Sequence, residues 1–208
     1  RNQCKVSGNR EYDKKEAAGH FDFKEKDETA GSNTAVSGMV LNVEAALYPE
    51  FFGNERAFTK LSAEIRSYIP VSRDGYSRAV LRIGTEKLWG NFPFWEAAYL
   101  GGSTSLRGYE RQRFAGDASL YAGSEFRIHA GEFRLYLPVI WGPLAFVESG
   151  RVFLEGEDSS AWHTGAGGGL WFGTADSRYT ASLTYGRGFD EGRLTEDVGI
   201  YARAGFSF

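Results

Sequence analysis

From Lys60 to Ile69 the chain alternates. Leu61, Ala63, Ile65 and Ile69 fall on one side of an extended backbone, and Lys60, Ser62, Glu64 and Arg66 fall on the other. Successive side chains of a strand point to opposite faces, so this stretch reads as a strand with one apolar and one polar face. The pattern recurs. Met39, Leu41, Val43, Ala45 and Leu47 oppose Gly38, Asn42 and Glu44, and Ala79, Leu81 and Ile83 oppose Arg78, Val80 and Arg82. Leu120, Ala122, Ser124, Phe126 and Ile128 oppose Tyr121, Glu125, Arg127 and His129. Eight strands are expected, near 35–48, 57–69, 77–89, from 117, and near 144–154, 161–173, 178–187 and 197–208. The fourth either runs on through Phe133 and Leu135 or bends at Gly131. The two prolines of Leu137 to Pro143 read as the turn before the fifth.

This pattern makes the chain all-β and antiparallel. No run of about 18 apolar residues occurs, which excludes a transmembrane helix. A membrane barrel stays open, because its strands bury only alternate residues. An apolar face turned inward would give a soluble sandwich or barrel, and turned outward a barrel in lipid. Charge repeated on the polar faces and a last strand ending at Phe208 favour the membrane. On that reading Leu61, Ala63, Ile65, Leu120, Phe126, Leu183, Ile200 and Phe206 face lipid. Trp89, Trp141, Trp162 and Trp171 lie near strand ends and suit either an interfacial belt or a core.

Residues 1–33 are mixed and charged, with Lys14, Lys15, Glu16, Lys24, Glu25, Lys26, Asp27 and Glu28, and are expected to be an arm or linker. Residues 34–208 form the barrel segment. The chain begins at Arg1, which implies processing or excision from something longer. Its single cysteine, Cys4, has no partner for an intramolecular disulfide. A formal charge of −3 gives no electrostatic case for nucleic acid.

Between the third and fourth strands lie the 27 residues Gly90–Gly116, with no strand period. A loop of this length is usually functional or disordered; Phe92, Phe94, Trp95, Tyr99 and Tyr109 make it too apolar for a free surface loop and favour an ordered, buried one. Within it, Leu100 to Tyr109 reads LGGSTSLRGY, an ordered turn in which Gly101, Gly102 and Gly108 permit positive φ or close backbone approach. Residues alone favour a solvent-exposed turn arginine at Arg107. Glu125 and Glu148 would be an acid pair on a sugar only in a very different setting. His20, His129 and His163 show no metal spacing, and no metal, cofactor or catalytic residue is expected. The run Gly165 to Gly169 is no phosphate loop, since no helix follows. Glycine there lets a strand bend or another backbone come close.

Three blocks in order, Leu106-Arg107-Gly108-Tyr109, Gly116 to Arg127 and Phe146 to Val152, together with the terminal phenylalanine, resemble the C-terminal barrel of the bacterial surface-antigen superfamily. That family includes BamA, TamA and the two-partner secretion transporters. The resemblance implies half of a sixteen-stranded barrel in the bacterial outer membrane, with segment 90–116 folded inside. It implies that Arg107 anchors that loop on acidic residues of the next two strands, here Glu125 and Glu148, although aspartate often stands where Glu148 does. It also implies a last strand, with Phe206 and Phe208, whose edge can open.

The expected function is a non-enzymatic outer-membrane component for protein insertion or translocation. Its partners are lipid, client or passenger proteins, and further wall strands from an upstream segment or a second chain. The alternative is a membrane anchor or passive pore for a separate module, and the third reading is a soluble β-sandwich binding module. An eight-stranded barrel has room only for side chains, so these strands are not expected to close around the loop. The strand near 35–48 is expected to pair its free edge outside this chain.

Overall fold

The structure is a computed structural model that describes residues 5–6, 17–26, 38–49, 57–73, 75–134, 136–156, 161–174, 179–190 and 192–206. In chain order the strands are β1 (Lys5–Val6), β2 (Ala17–Lys26), β3 (Gly38–Tyr48), β4 (Phe58–Pro70), β5 (Arg78–Gly90), β6 (Ala98–Leu100) and β7 (Phe114–Gly116). They continue as β8 (Ala118–Arg127), β9 (Gly131–Arg134), β10 (Pro138–Phe153), β11 (His163–Thr174), β12 (Tyr179–Asp190) and β13 (Arg193–Phe206). Eleven strands form one antiparallel sheet in the order β1-β2-β3-β4-β5-β8-β10-β11-β12-β13, with β9 also on β10. β6 and β7 make a separate small pair. The sheet is open, since β13 pairs only with β12 among the described residues.

Two expectations need correction. The segment 1–33, read as an arm or linker, supplies β1 and β2, and β2 pairs with β3 from Ala17↔Leu47 to Lys26↔Gly38. The strand near 35–48 therefore has its edge covered from within this chain. Its neighbour's charges, Lys24, Glu25 and Lys26, hide the strand because they break the apolar alternation.

The other correction concerns β10, which begins at Pro138 rather than near residue 144. Its partner on one side is interrupted: β8 ends at Arg127, opposite Leu144, and β9 starts at Gly131, opposite Trp141. Pro143 lies opposite this break. Its carbonyl accepts the N–H of Ile128 at 3.0 Å, so the N–H that proline lacks would have pointed to the same interrupted side. A strand tolerates proline at such a place. Gly142 is needed there too, because a Cβ would overlap the carbonyl of Ile128. The chain thus bends at Ile128–Ala130, and the indole N–H of buried Trp171 bonds the Ile128 carbonyl at 3.0 Å.

The two faces differ as the alternation requires. Along β10, Gly142, Leu144, Phe146 and Glu148 are buried, and Pro143, Ala145 and Val147 are exposed. One row across the exposed face reads Phe126, Ala145, Gly168, Tyr185 and Ile200. Phe126 is 51 % exposed, Leu183 52 % and Ile200 75 %. The described residues leave this broad apolar surface uncovered. Of the tryptophans, Trp171 packs with Ile140, Leu144 and Phe146 in the core, while Trp89 and Trp162 are exposed. The sheet curls, because Asn42 and Glu44 of β3 and Arg203 of β13 line the same cavity of about 650 Å3. Phe206 ends β13, and Phe208 lies outside the described residues.

Candidate functional site: a loop clamped on the inner face

The register sets up the site before the loop is considered. One inner row runs Arg82, Gly123, Glu148, Gly165 and Gly188 across β5, β8, β10, β11 and β12. The next runs Val80, Glu125, Phe146, Gly167, Gly186 and Gly199. The wall therefore offers carboxylates on β8 and β10 beside a glycine floor on β11 and β12. A floor without side chains admits a second backbone.

The β5–β8 connection occupies that floor. Gly101, Gly102 and Gly108 take φ of 130°, 76° and 101°, which side-chain-bearing residues rarely adopt. The turn closes on itself. Gly102 N–H donates to the Tyr109 carbonyl at 3.2 Å, and the Ser105 hydroxyl accepts from Gly101 N–H at 2.9 Å. Leu106 and Tyr109 pack with Leu100, and Phe114, Tyr121 and Val152 close over them. Leu106 is fully buried.

Arg107 is 3 % exposed. Its Nη1 lies 2.6 Å from Glu125 Oε2, and its Nη2 lies 2.7 Å from Glu148 Oε1. Its Nε donates to Glu148 Oε1 at 2.9 Å, and its backbone N–H donates to Glu148 Oε2 at 2.7 Å. The guanidinium also lies 3.6 Å from the centre of the Phe146 ring. The planar fork of arginine meets two carboxylates at once, which a lysine ammonium does not reproduce. Burial by itself disfavours the cation, but Glu148 and then Glu125 outweigh it, and the pKa of Arg107 rises above its ordinary value.

Further contacts add to the clamp. The carbonyl of Arg107 rests against Gly165, where a Cβ would overlap it. This is the second of the two uses expected of the glycine run. The Tyr201 hydroxyl accepts from Gly108 N–H at 2.9 Å and donates to the Tyr109 carbonyl at 3.0 Å. The Tyr109 hydroxyl donates to Asp190 Oδ1 at 2.6 Å, and the same oxygen lies 2.8 Å from His163 Nδ1. Burial, reinforced by Asp190, pushes the Tyr109 phenol up. The tyrosine ring lies over Gly188. Arg82 adds a second guanidinium on Glu148. Only the partner's register could have revealed these residues.

Among the described residues no three histidine, cysteine, aspartate or glutamate side chains gather in a way that would hold a metal ion. Glu125 also pairs with Arg127 at 2.8 Å, so each carboxylate meets two guanidinium groups.

The Omp85 superfamily domain matches residues 25–208. The chain belongs to the Omp85 superfamily. It is thereby an outer-membrane β-barrel protein. Among solved structures it is similar to BamA from Haemophilus ducreyi lacking POTRA domains 1-3, at 14 % identity and a TM-score of 0.66. That match covers 92 % of this chain and 42 % of the BamA chain, so this chain spans less than half of that relative. None of the curated proteins matches it. As an Omp85 segment, the open sheet is part of a barrel wall.

Proposed function

We propose that this Omp85 segment is a non-enzymatic working part of an outer-membrane machine that inserts or translocates proteins. The observation that carries the reading is the clamp: a buried arginine holds a 27-residue loop against the inner face of the wall. A wall that only anchors or conducts does not require carboxylates, arginine and a cleared glycine floor arranged around one loop. Both glutamates are engaged by arginines, which leaves neither free for acid–base chemistry.

The exposed apolar face meets lipid in this account. Leu61, Ala63, Ile65, Leu120, Phe126, Leu183 and Ile200 belong to it, and an interior that carries charge is what a membrane barrel tolerates. The long β5–β8 connection marks the outer side of the membrane, and the shorter turn between β4 and β5 marks the periplasmic side. Further wall strands, from an upstream segment or a second chain, complete the barrel. The edge of β13, which has no second partner strand among the described residues and ends at Phe206, is the place where a client strand can add by main-chain pairing.

The test is reconstitution of the intact protein in lipid vesicles, with protease protection of an unfolded outer-membrane client as the readout. Faster client insertion than in empty vesicles supports the reading. A protein that enters the vesicles but leaves client insertion at the empty-vesicle rate contradicts it and favours a membrane anchor or passive pore.

A further inference from the structure

Glu148 serves two guanidiniums, and the second belongs to the wall itself. Arg82 on β5 is 7 % exposed. Its Nη2 lies 3.0 Å from Glu148 Oε1 and donates to the Ser105 carbonyl at 3.1 Å. Its Nη1 donates to the Thr104 carbonyl at 2.7 Å. One wall side chain thus holds two successive carbonyls of the loop and the carboxylate that holds Arg107.

The geometry points to Arg82 as a second positioning residue for the loop, one that fixes where the turn 101–106 sits along the wall. This rests on the proposed function for the meaning of the loop's position. Arg107 ties the loop through its own side chain. Arg82 instead grips backbone oxygens, so its hold depends on where the chain lies rather than on which side chains the turn carries. The hydroxyl of Ser105 closes the turn onto Gly101, so holding residues 104 and 105 holds the whole turn.

The wall keeps Arg82 in place. Glu64 Oε2 lies 4.0 Å from its Nη1 and also accepts the Tyr121 hydroxyl at 2.6 Å. The Tyr121 ring lies 5.1 Å from the Arg82 guanidinium and packs over Gly84, where a Cβ would meet the ring. A methionine at position 82 keeps much of the bulk and loses every donor. A lysine keeps the charge and loses the planar fork that reaches both carbonyls and Glu148 together.

Hydrogen exchange of the intact protein in lipid vesicles tests this, with client insertion measured on the same samples. The variants are Arg82→Met, Arg82→Lys and Arg107→Ala. Arg82→Met is expected to speed exchange in residues 101–106 by about tenfold or more, the change that follows from losing a charge-assisted hydrogen bond. Exchange in β11 and β12 stays at the wild-type rate, client insertion slows, and Arg82→Lys falls between. Wild-type loop exchange in Arg82→Met overturns the proposal, as does faster loop exchange with wild-type insertion when Arg107→Ala abolishes insertion. If Arg82→Met does not fold, wild-type loop exchange in Arg82→Lys overturns it. Arg107→Ala separates the two ideas. If it frees the loop yet leaves insertion intact, the insertion reading fails, while exchange in the Arg82 variants still decides whether Arg82 positions the turn.

Discussion

The carbonyl oxygen of Arg107 occupies the space where Gly165 would carry a Cβ. Loop and wall are therefore in direct backbone contact at the centre of the clamp. Gly165→Ala puts a methyl group into that contact, and overpacking of this kind costs about 1–3 kcal/mol. The expected result is a folded barrel with a displaced loop. Faster tryptic cleavage at Arg111 and Arg113, both exposed, measures it. Cleavage at the wild-type rate would mean that the loop does not rest on Gly165.

Glu148 should matter more to the barrel than Arg107 does. Glu148→Gln removes the shared charge from two buried guanidiniums, and breaking a buried pair costs about 3–5 kcal/mol. Arg107→Ala leaves Glu148 with Arg82 and Glu125 with Arg127. It frees the loop while costing the wall less. Denaturant midpoints in detergent should rank wild type above Arg107→Ala, and Arg107→Ala above Glu148→Gln. The reverse order would show that the network is not shared as described.

Tyr109→Phe keeps the packing against Leu106 and Phe114 and loses the hydroxyl's bonds to Asp190 and Thr164. A hydrogen bond to a charged group contributes about 1.5–3 kcal/mol. The turn at 108–110 should then exchange amide hydrogens faster, with the strands unchanged. No difference in exchange would place Tyr109 in the loop for its ring alone.

The outer face offers an independent check. Leu183→Arg or Ile200→Arg should cost about 2–4 kcal/mol near the bilayer midplane, seen as a lower folding yield into lipid vesicles. Ser62→Arg, on the inner face, should cost much less. Equal tolerance at all three positions would remove the membrane assignment of that face.

The period-two pattern made most of the wall legible, because burial on one face leaves a direct mark on sequence. It failed where other forces dominate. Ala17–Lys26 pairs with β3 through its backbone, although its charges break the alternation. Pro138 and Pro143 look like a turn until the break between β8 and β9 is known. The Arg107 clamp was suggested only by family resemblance; by residue type alone Arg107 reads as an exposed turn arginine. The glycine run at 165–169 announced a bend or a close backbone but not which backbone, and Arg82, Gly188 and Tyr201 stayed hidden, because their roles depend on which residue of one strand faces which residue of the next. That register is set by long-range pairing, which a single chain read in order does not display.

The most direct measurement is the rate at which the intact protein, reconstituted in lipid vesicles, inserts an unfolded client barrel when Arg107 is replaced. Arg107→Ala, shown by circular dichroism to keep its strands, should insert the client at least about tenfold more slowly than wild type, the effect of a lost interaction of about 1.4 kcal/mol. Arg107→Lys should restore only part of the rate, since an ammonium cannot meet Glu125 and Glu148 in the same fork. A folded Arg107→Ala protein that inserts the client at the wild-type rate would contradict the account.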